Sequence, residues 1–195
     1  MNLGLSIASH SGLPPARIGE LAGAAERAGF GAVFVAEGHG DALALCHPVA
    51  AATVRVRVGT AIANAALRPP VLTAKTAAQL DQAAGGRFIL GLGVGNAVMN
   101  ARFGLSPIAP LRMVEEYVGV VRSVLNRDTG YDGRLFRTGL VPQQVADGFV
   151  TRGSAARVAA RLAEYRAAGV DLPVTFPVPV ADDWGYERTI AALTT

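Results

Sequence analysis

Cysteine is nearly absent: Cys46 is the single one in 195 residues. No intrachain disulfide and no cysteine-based zinc cage can form. Lysine is equally scarce. Lys75 stands alone, the arginines are scattered, and no run of basic and aromatic residues occurs, so a nucleic-acid partner is not expected despite a net charge of +3. Charged residues make up 17%, against a usual figure of about 25%. Long hydrophobic runs are missing too. The longest nearly apolar stretch, Ala42–Val54, is broken by His47 and Pro48 and falls short of the ~20 residues that span a bilayer. The chain opens on a strand-like Met1–Ala8 without a basic leader or cleavage site, so a soluble cytoplasmic protein with no membrane partner is expected. Small apolar residues are what the chain has in quantity. A hydrophobic content of 51% with only 6% aromatics excludes intrinsic disorder and suits one close-packed α/β domain.

Strand and helix signals alternate. Asn2–Ala8 reads as a strand, Ala16–Ala28 as a helix closed by Gly29, and Ala32–Ala36 as a strand buried on both faces. Asp41 caps a helix running to about Thr53. Val56–Ala63 is the third strand, and Pro69 and Pro70 open a helix over Val71–Ala84 that ends at Gly85 and Gly86. Phe88–Leu92 is the fourth strand. Ile108–Leu125 is a long helix with Leu111, Val114, Val118, Val121 and Leu125 on one face. Tyr131–Arg134 resembles a hairpin turn. Ser154 caps a helix to about Ala168, Leu172–Val178 is a proline-limited edge strand, and Thr189–Leu193 is a final helical turn.

This alternation implies five parallel strands with right-handed crossovers. A complete eight-stranded TIM-barrel-like (β/α) barrel takes about 250 residues, so a barrel here is truncated by two or three βα units. A doubly wound open sheet is the competing architecture.

Both architectures place ligands at the carboxyl ends of the strands. Four stretches fall there: Ser9–His10, Glu37–Asp41, Ala61–Arg68 and Gly93–Asn100. Glu37 and His39 follow strand two directly, where a carboxylate and an imidazole can transfer protons or orient a substrate. A helix-capping loop explains the same residues without chemistry. His10, His39 and His47 lack the i, i+4 spacing of a helical metal site, so no metal is expected. Cys46, among alanines and leucines, reads as an inert buried thiol. Gly91-Leu92-Gly93-Val94-Gly95-Asn96 fails the dinucleotide fingerprint, because the third glycine falls one position early and no strand-end acid follows.

Several blocks resemble the bacterial luciferase-like monooxygenase superfamily. They are Ala28–Glu37, Val58–Ala61, Leu67–Leu72, Gln79–Asp81, Gly85–Asn96, and the stretch from Arg152 through Asp171. The resemblance spans about residues 1–137 and 140–180. It implies a (β/α) barrel that binds FMN or a deazaflavin (coenzyme F420), often as a homodimer, and a monooxygenase-type oxidoreductase acting on a small organic substrate. At matching positions Ala61 and Ile62 lie behind the flavin ring, where the family often has a non-prolyl cis peptide. Asn64 and Asn96 lie near the ring or substrate, and His10 joins them as a ligand contact. Glu37 and His39 fall on the family's catalytic loop, with Gly38 in place of a histidine.

The family's segment between the hairpin and the last helix is almost absent, and only Arg137–Thr151 bridges it. The resemblance therefore also admits a non-redox descendant: a binding or subunit protein, or an enzyme that works without a cofactor. Missing staves leave open strand edges, which favours a homodimer through the alanine-rich second and third helices.

Overall fold

The computed structural model describes residues 3–105, 109–128, 155–175 and 185–193. Strands β1 (Gly4–Ala8), β2 (Ala32–Ala36), β3 (Arg57–Thr60), β5 (Phe88–Ile89) and β7 (Val174–Thr175) form one parallel sheet in the order β5-β3-β2-β1-β7. Two further short strands, β4 (Ala63–Asn64) and β6 (Leu92–Gly93), pair in parallel and prolong β3 and β5. The first strand is thus flanked by the second on one side and the last on the other. That is the order of a barrel retaining its first four staves and its final one; a doubly wound sheet can share this order, and the packing of successive helices in one layer is what separates the two.

The helices follow from local signals. Helix α1 (Pro15–Arg27) starts at a proline, whose missing N–H costs nothing in a first turn, and Gly29 follows it at φ 88°. Helix α2 (Ala42–Ala52) begins where the Asp41 carboxylate accepts from the N–H groups of Leu43 and Ala44. Helix α3 (Pro70–Ala83) again opens on proline. Next come α4 (Ala97–Arg102), α5 (Pro110–Asp128), α6 (Ala155–Ala167) and α7 (Tyr186–Ala192). Helix α1 packs on α2, α2 on α3, α3 on α5, and α7 on α1, so they form a single outer layer in sequence order. Between sheet and helices lie Leu5, Ile7, Val33, Val35 and Val58 with Ile18, Leu21, Leu43, Val49 and Leu80, each worth about 1.5–3 kcal/mol of apolar burial. Strand alternation turns Gly4, Ser6, Ala8, Phe34 and Gly59 to the opposite, inner face. The Phe34 ring lies over Gly59, 2.9 Å from where a Cβ would stand.

Four expectations change. The third strand breaks after Thr60 and the fourth after Ile89, because the Thr60 hydroxyl donates to the Gly91 carbonyl (2.8 Å) and accepts from its N–H (3.0 Å). Helix α4 is an added element, in a stretch too short to carry helical periodicity. Leu111 is 74% exposed, and the buried stripe of α5 runs instead through Val114, Tyr117, Val121 and Leu125. The Tyr131 hairpin, the Ser154 cap, the Arg137–Thr151 bridge and the end of the Leu172–Val178 strand lie outside the described residues.

At the amino ends of the strands, side chains knit loops together. Arg87 donates to Thr53 and Val56 carbonyls. Glu26 accepts from the backbone N–H groups of Val54, Arg55 and Val56. Burial by itself raises the Glu26 pKa, but the three N–H donors and the Arg55 charge outweigh it, so the group titrates below the usual carboxylate range. A lowered folded-state pKa means a contribution present above the unfolded pKa and lost as pH falls through the folded one. Glu26→Gln should therefore cost about 1 kcal/mol at neutral pH. Urea denaturation should show the two proteins converging as pH approaches ~3. An equal gap at both pH values would contradict this role.

Candidate functional site

The loops that leave the carboxyl ends of β2, β4 and β6 are tied into one rim. Its hub is Glu37, half-buried just past β2. One carboxylate oxygen accepts from the Ala42 N–H (2.9 Å) and the other from the Asn64 N–H (3.0 Å). Its own N–H donates to the Ile62 carbonyl at 3.0 Å. Burial pushes the Glu37 pKa up, with Asp41 adding to the rise, against the pull of two backbone donors and Arg68. Asp41 uses one oxygen as the cap of α2 and pairs the other with Arg68.

The peptide between Ala61 and Ile62 is cis. The Ala61 N–H still reaches the Val35 carbonyl (2.9 Å) and the Ala63 N–H reaches Gly91 (2.8 Å), so the backbone turns here between two ladders. Asn64 follows, 4% exposed. Its side-chain oxygen accepts from the Ala66 N–H (3.0 Å), and its Nδ2 donates to Asn100 Oδ1 (2.9 Å). Asn100, on α4, donates through its own Nδ2 to the Val94 carbonyl (2.7 Å). Asn96 caps α4 by accepting from the Met99 N–H. Between them Gly95 has φ 66°, and a Cβ there would come within 2.5 Å of Asn64 Nδ2.

On the β1 side the turn Ser9–Ser11 carries His10. The Ala8 N–H donates to the Tyr186 phenol oxygen at 2.9 Å, beyond the Gly4–Leu5 stretch of β1 that pairs with β7. An Arg17–Glu187 ion pair holds α7 there. Two buried hydroxyls, Ser6 Oγ and Ser9 Oγ, have no hydrogen-bond partner.

The structure thus gathers every candidate from the sequence, namely His10, Glu37, His39, Ala61, Ile62, Asn64 and Asn96, at the carboxyl end of the sheet. They are not alike. Glu37 and Asn64 are committed to the loops, His39 and Asn96 are exposed, and Ala61 and Ile62 are half-buried. Two residues with a part in the rim escape a reading of the sequence, Tyr186 and Ser6. Asn100 enters it only as the end of the Gly93–Asn100 stretch, with no role assigned.

Cys46 is wholly buried, donates to the Gly59 carbonyl, and burial pushes its thiol pKa far up, so it is no nucleophile. Among the described residues no group of histidine, cysteine and carboxylates could hold a metal ion, and no helix is long and apolar enough to cross a membrane.

Comparison with known proteins agrees with this architecture. The profile of the luciferase-like monooxygenase family matches residues 1–140. A Mycobacterium tuberculosis protein that carries the name of a coenzyme F420-dependent oxidoreductase is 40% identical over 131 residues, 66% of this chain and 38% of that protein. The chain spans well under half the length of the curated relatives it matches.

Among solved structures, an F420-dependent secondary alcohol dehydrogenase bound to an F420-acetone adduct superposes with a TM-score of 0.57 at 28% identity, covering 69% of this chain and 46% of that one. The oxygenating constituent of a Pseudomonas putida diketocamphane monooxygenase, in complex with FMN, superposes with a TM-score of 0.57 at 16% identity, covering 77% and 48%. That second likeness speaks to the fold alone. With a family match over residues 1–140 and the stave order of a shortened (β/α) barrel, this chain belongs to the luciferase-like monooxygenase family.

Proposed function

We propose that the chain is a flavin- or deazaflavin-dependent oxidoreductase acting on a small organic molecule at the carboxyl rim of its sheet. The observation that carries this reading is the hydrogen-bonded brace through Glu37, Asn64 and Asn100. It makes one rigid unit of the loops after the second, third and fourth staves, where barrel enzymes keep their sites. The 40%-identical relative named for coenzyme F420 and the 28%-identical F420-dependent alcohol dehydrogenase support the cofactor class.

The residues present fit such a group. A flat ring with a polar edge needs small residues beneath it and a few unspent hydrogen-bonding groups. Ala61 and Ile62 are half-buried, Ile62 against Gly93 and Ala61 beside Gly91. The Ser6 and Ser9 hydroxyls lack partners, and Asn64 Nδ2 keeps one N–H beyond its bond to Asn100. In this reading His10, Ala61, Ile62, Asn64 and Asn96 hold the ring, the exposed His39 moves a proton, and Glu37 orients the loop that carries His39. The bound cofactor supplies the redox step.

The same reading takes the chain as a cytoplasmic homodimer. The exposed Val71 and Leu72 on α3 and Leu111 on α5 support a second copy as partner. Titration of the purified chain with FMN and with oxidised coenzyme F420, followed by absorbance and fluorescence, tests the proposal. A saturable spectral shift with one of them at micromolar concentration is the expected result. A flat response to both would overturn it and favour a non-redox binding protein.

A further inference from the structure

We infer that Asn100 is a positioning residue for this site, acting through Asn64 and the Val94–Asn96 turn. The inference rests on the proposed reading and adds a residue that neither the sequence pattern nor the comparisons assign. Asn100 is 7% exposed and lies on α4, behind the loop that follows the fourth stave. Its amide is used at both ends and in one direction only. The oxygen accepts from Asn64 Nδ2 (2.9 Å), and the nitrogen donates to the Val94 carbonyl (2.7 Å).

Asn64 is in turn anchored through its backbone N–H to Glu37 and through its side-chain oxygen to the Ala66 N–H. The single free N–H of Asn64 is therefore aimed by Asn100. Gly95 closes the arrangement. It has φ 66°, and a Cβ would stand 2.5 Å from Asn64 Nδ2 and 3.0 Å from Asn100 Oδ1, so the turn can sit against the amide pair only with glycine in that place.

An aspartate at position 100 keeps the shape and removes the donor. A carboxylate oxygen then faces the Val94 carbonyl in a buried setting, which pushes the turn away from Asn64. Gly95→Ala disturbs the same contact by bulk, with no change of charge. Both variants should weaken binding of whichever of FMN or coenzyme F420 the wild type takes by about tenfold or more, and both should alter the spectral shift of the bound cofactor.

A general loss of stability would not alter that shift. Glu26→Gln, at the other end of the strands, should lower the denaturation midpoint and leave cofactor affinity and spectrum unchanged. Far-ultraviolet circular dichroism verifies that the variants are folded. If Asn100→Asp does not fold, Gly95→Ala decides alone. Wild-type binding with affinity and spectrum unchanged in the folded variants overturns the inference and leaves the cofactor reading standing. No binding by the wild type overturns both.

Discussion

Gly91→Ala is expected to destabilise the chain by about 4 kcal/mol or more, enough to leave much of it unfolded. A Cβ at this position would stand 2.1 Å from the Thr60 carbonyl oxygen. The obstacle is backbone in the adjacent stave, which has no rotamer to retreat into, so relief requires separating the two strands. Separation also breaks the pair of bonds between the Thr60 hydroxyl and Gly91, and the Ala63 N–H bond to the Gly91 carbonyl. Gly119 provides the contrast. It lies exposed within α5, with nothing within 4 Å of where a Cβ would stand, and Gly119→Ala should stabilise by about 0.5–1 kcal/mol through helix propensity. Urea denaturation of the two variants should move the midpoint in opposite directions. A wild-type midpoint for Gly91→Ala would show that β3 and β5 are not held as described.

Glu37→Gln should have the second largest effect, and on two readouts. The carboxylate satisfies two buried backbone donors at once, those of Ala42 and Asn64. An amide has one oxygen, so one of these N–H groups would face an NH2 instead, at a cost of about 2 kcal/mol. The bond lost is either the start of α2 or the anchor of Asn64, so cofactor binding should fall with stability. The pH dependence runs opposite to that of Glu26. A folded-state pKa raised by burial means that ionising Glu37 costs folding free energy, so its contribution is largest below the unfolded pKa and declines as pH rises through the folded one. The wild-type advantage over Glu37→Gln should therefore be greater at pH ~4 than at neutrality, and thermal melts across that range check it.

Much of this architecture is written locally. Asp41 before Ala42, Pro70 at a first turn, and Gly29, Gly85 and Gly169 at left-handed helix exits all do what their covalent geometry dictates, and each could be read without tertiary information. The breaks in the third and fourth strands could not. Val56–Ala63 and Phe88–Leu92 each read as one continuous strand, and what interrupts them is Thr60 bonding to Gly91 from 31 positions away.

Leu111 fits the helical stripe by spacing, yet it lies in the first turn of α5, ahead of the buried positions that begin at Val114. At the site, the position of the candidates followed from strand ends alone, whereas their use did not. Glu37 reads as a catalytic carboxylate or a cap, and the structure shows its oxygens engaged by backbone donors 5 and 27 residues on. Asn100 sits on a helix with no periodic signal, and its partners are set by the turn at Gly95.

The central claim is that the ligand binds at the carboxyl rim of the first four staves. Backbone amide chemical shifts of the isotopically labelled chain, recorded during titration with FMN and with coenzyme F420, test it most directly. Saturable shifts are expected at Gly38–Asp41, Ala61–Ala66 and Gly93–Asn100, with the amino-end loops at Thr53–Arg57 and Gly85–Arg87 unmoved. Shifts confined to those amino-end loops, or the absence of any saturable shift, would contradict it.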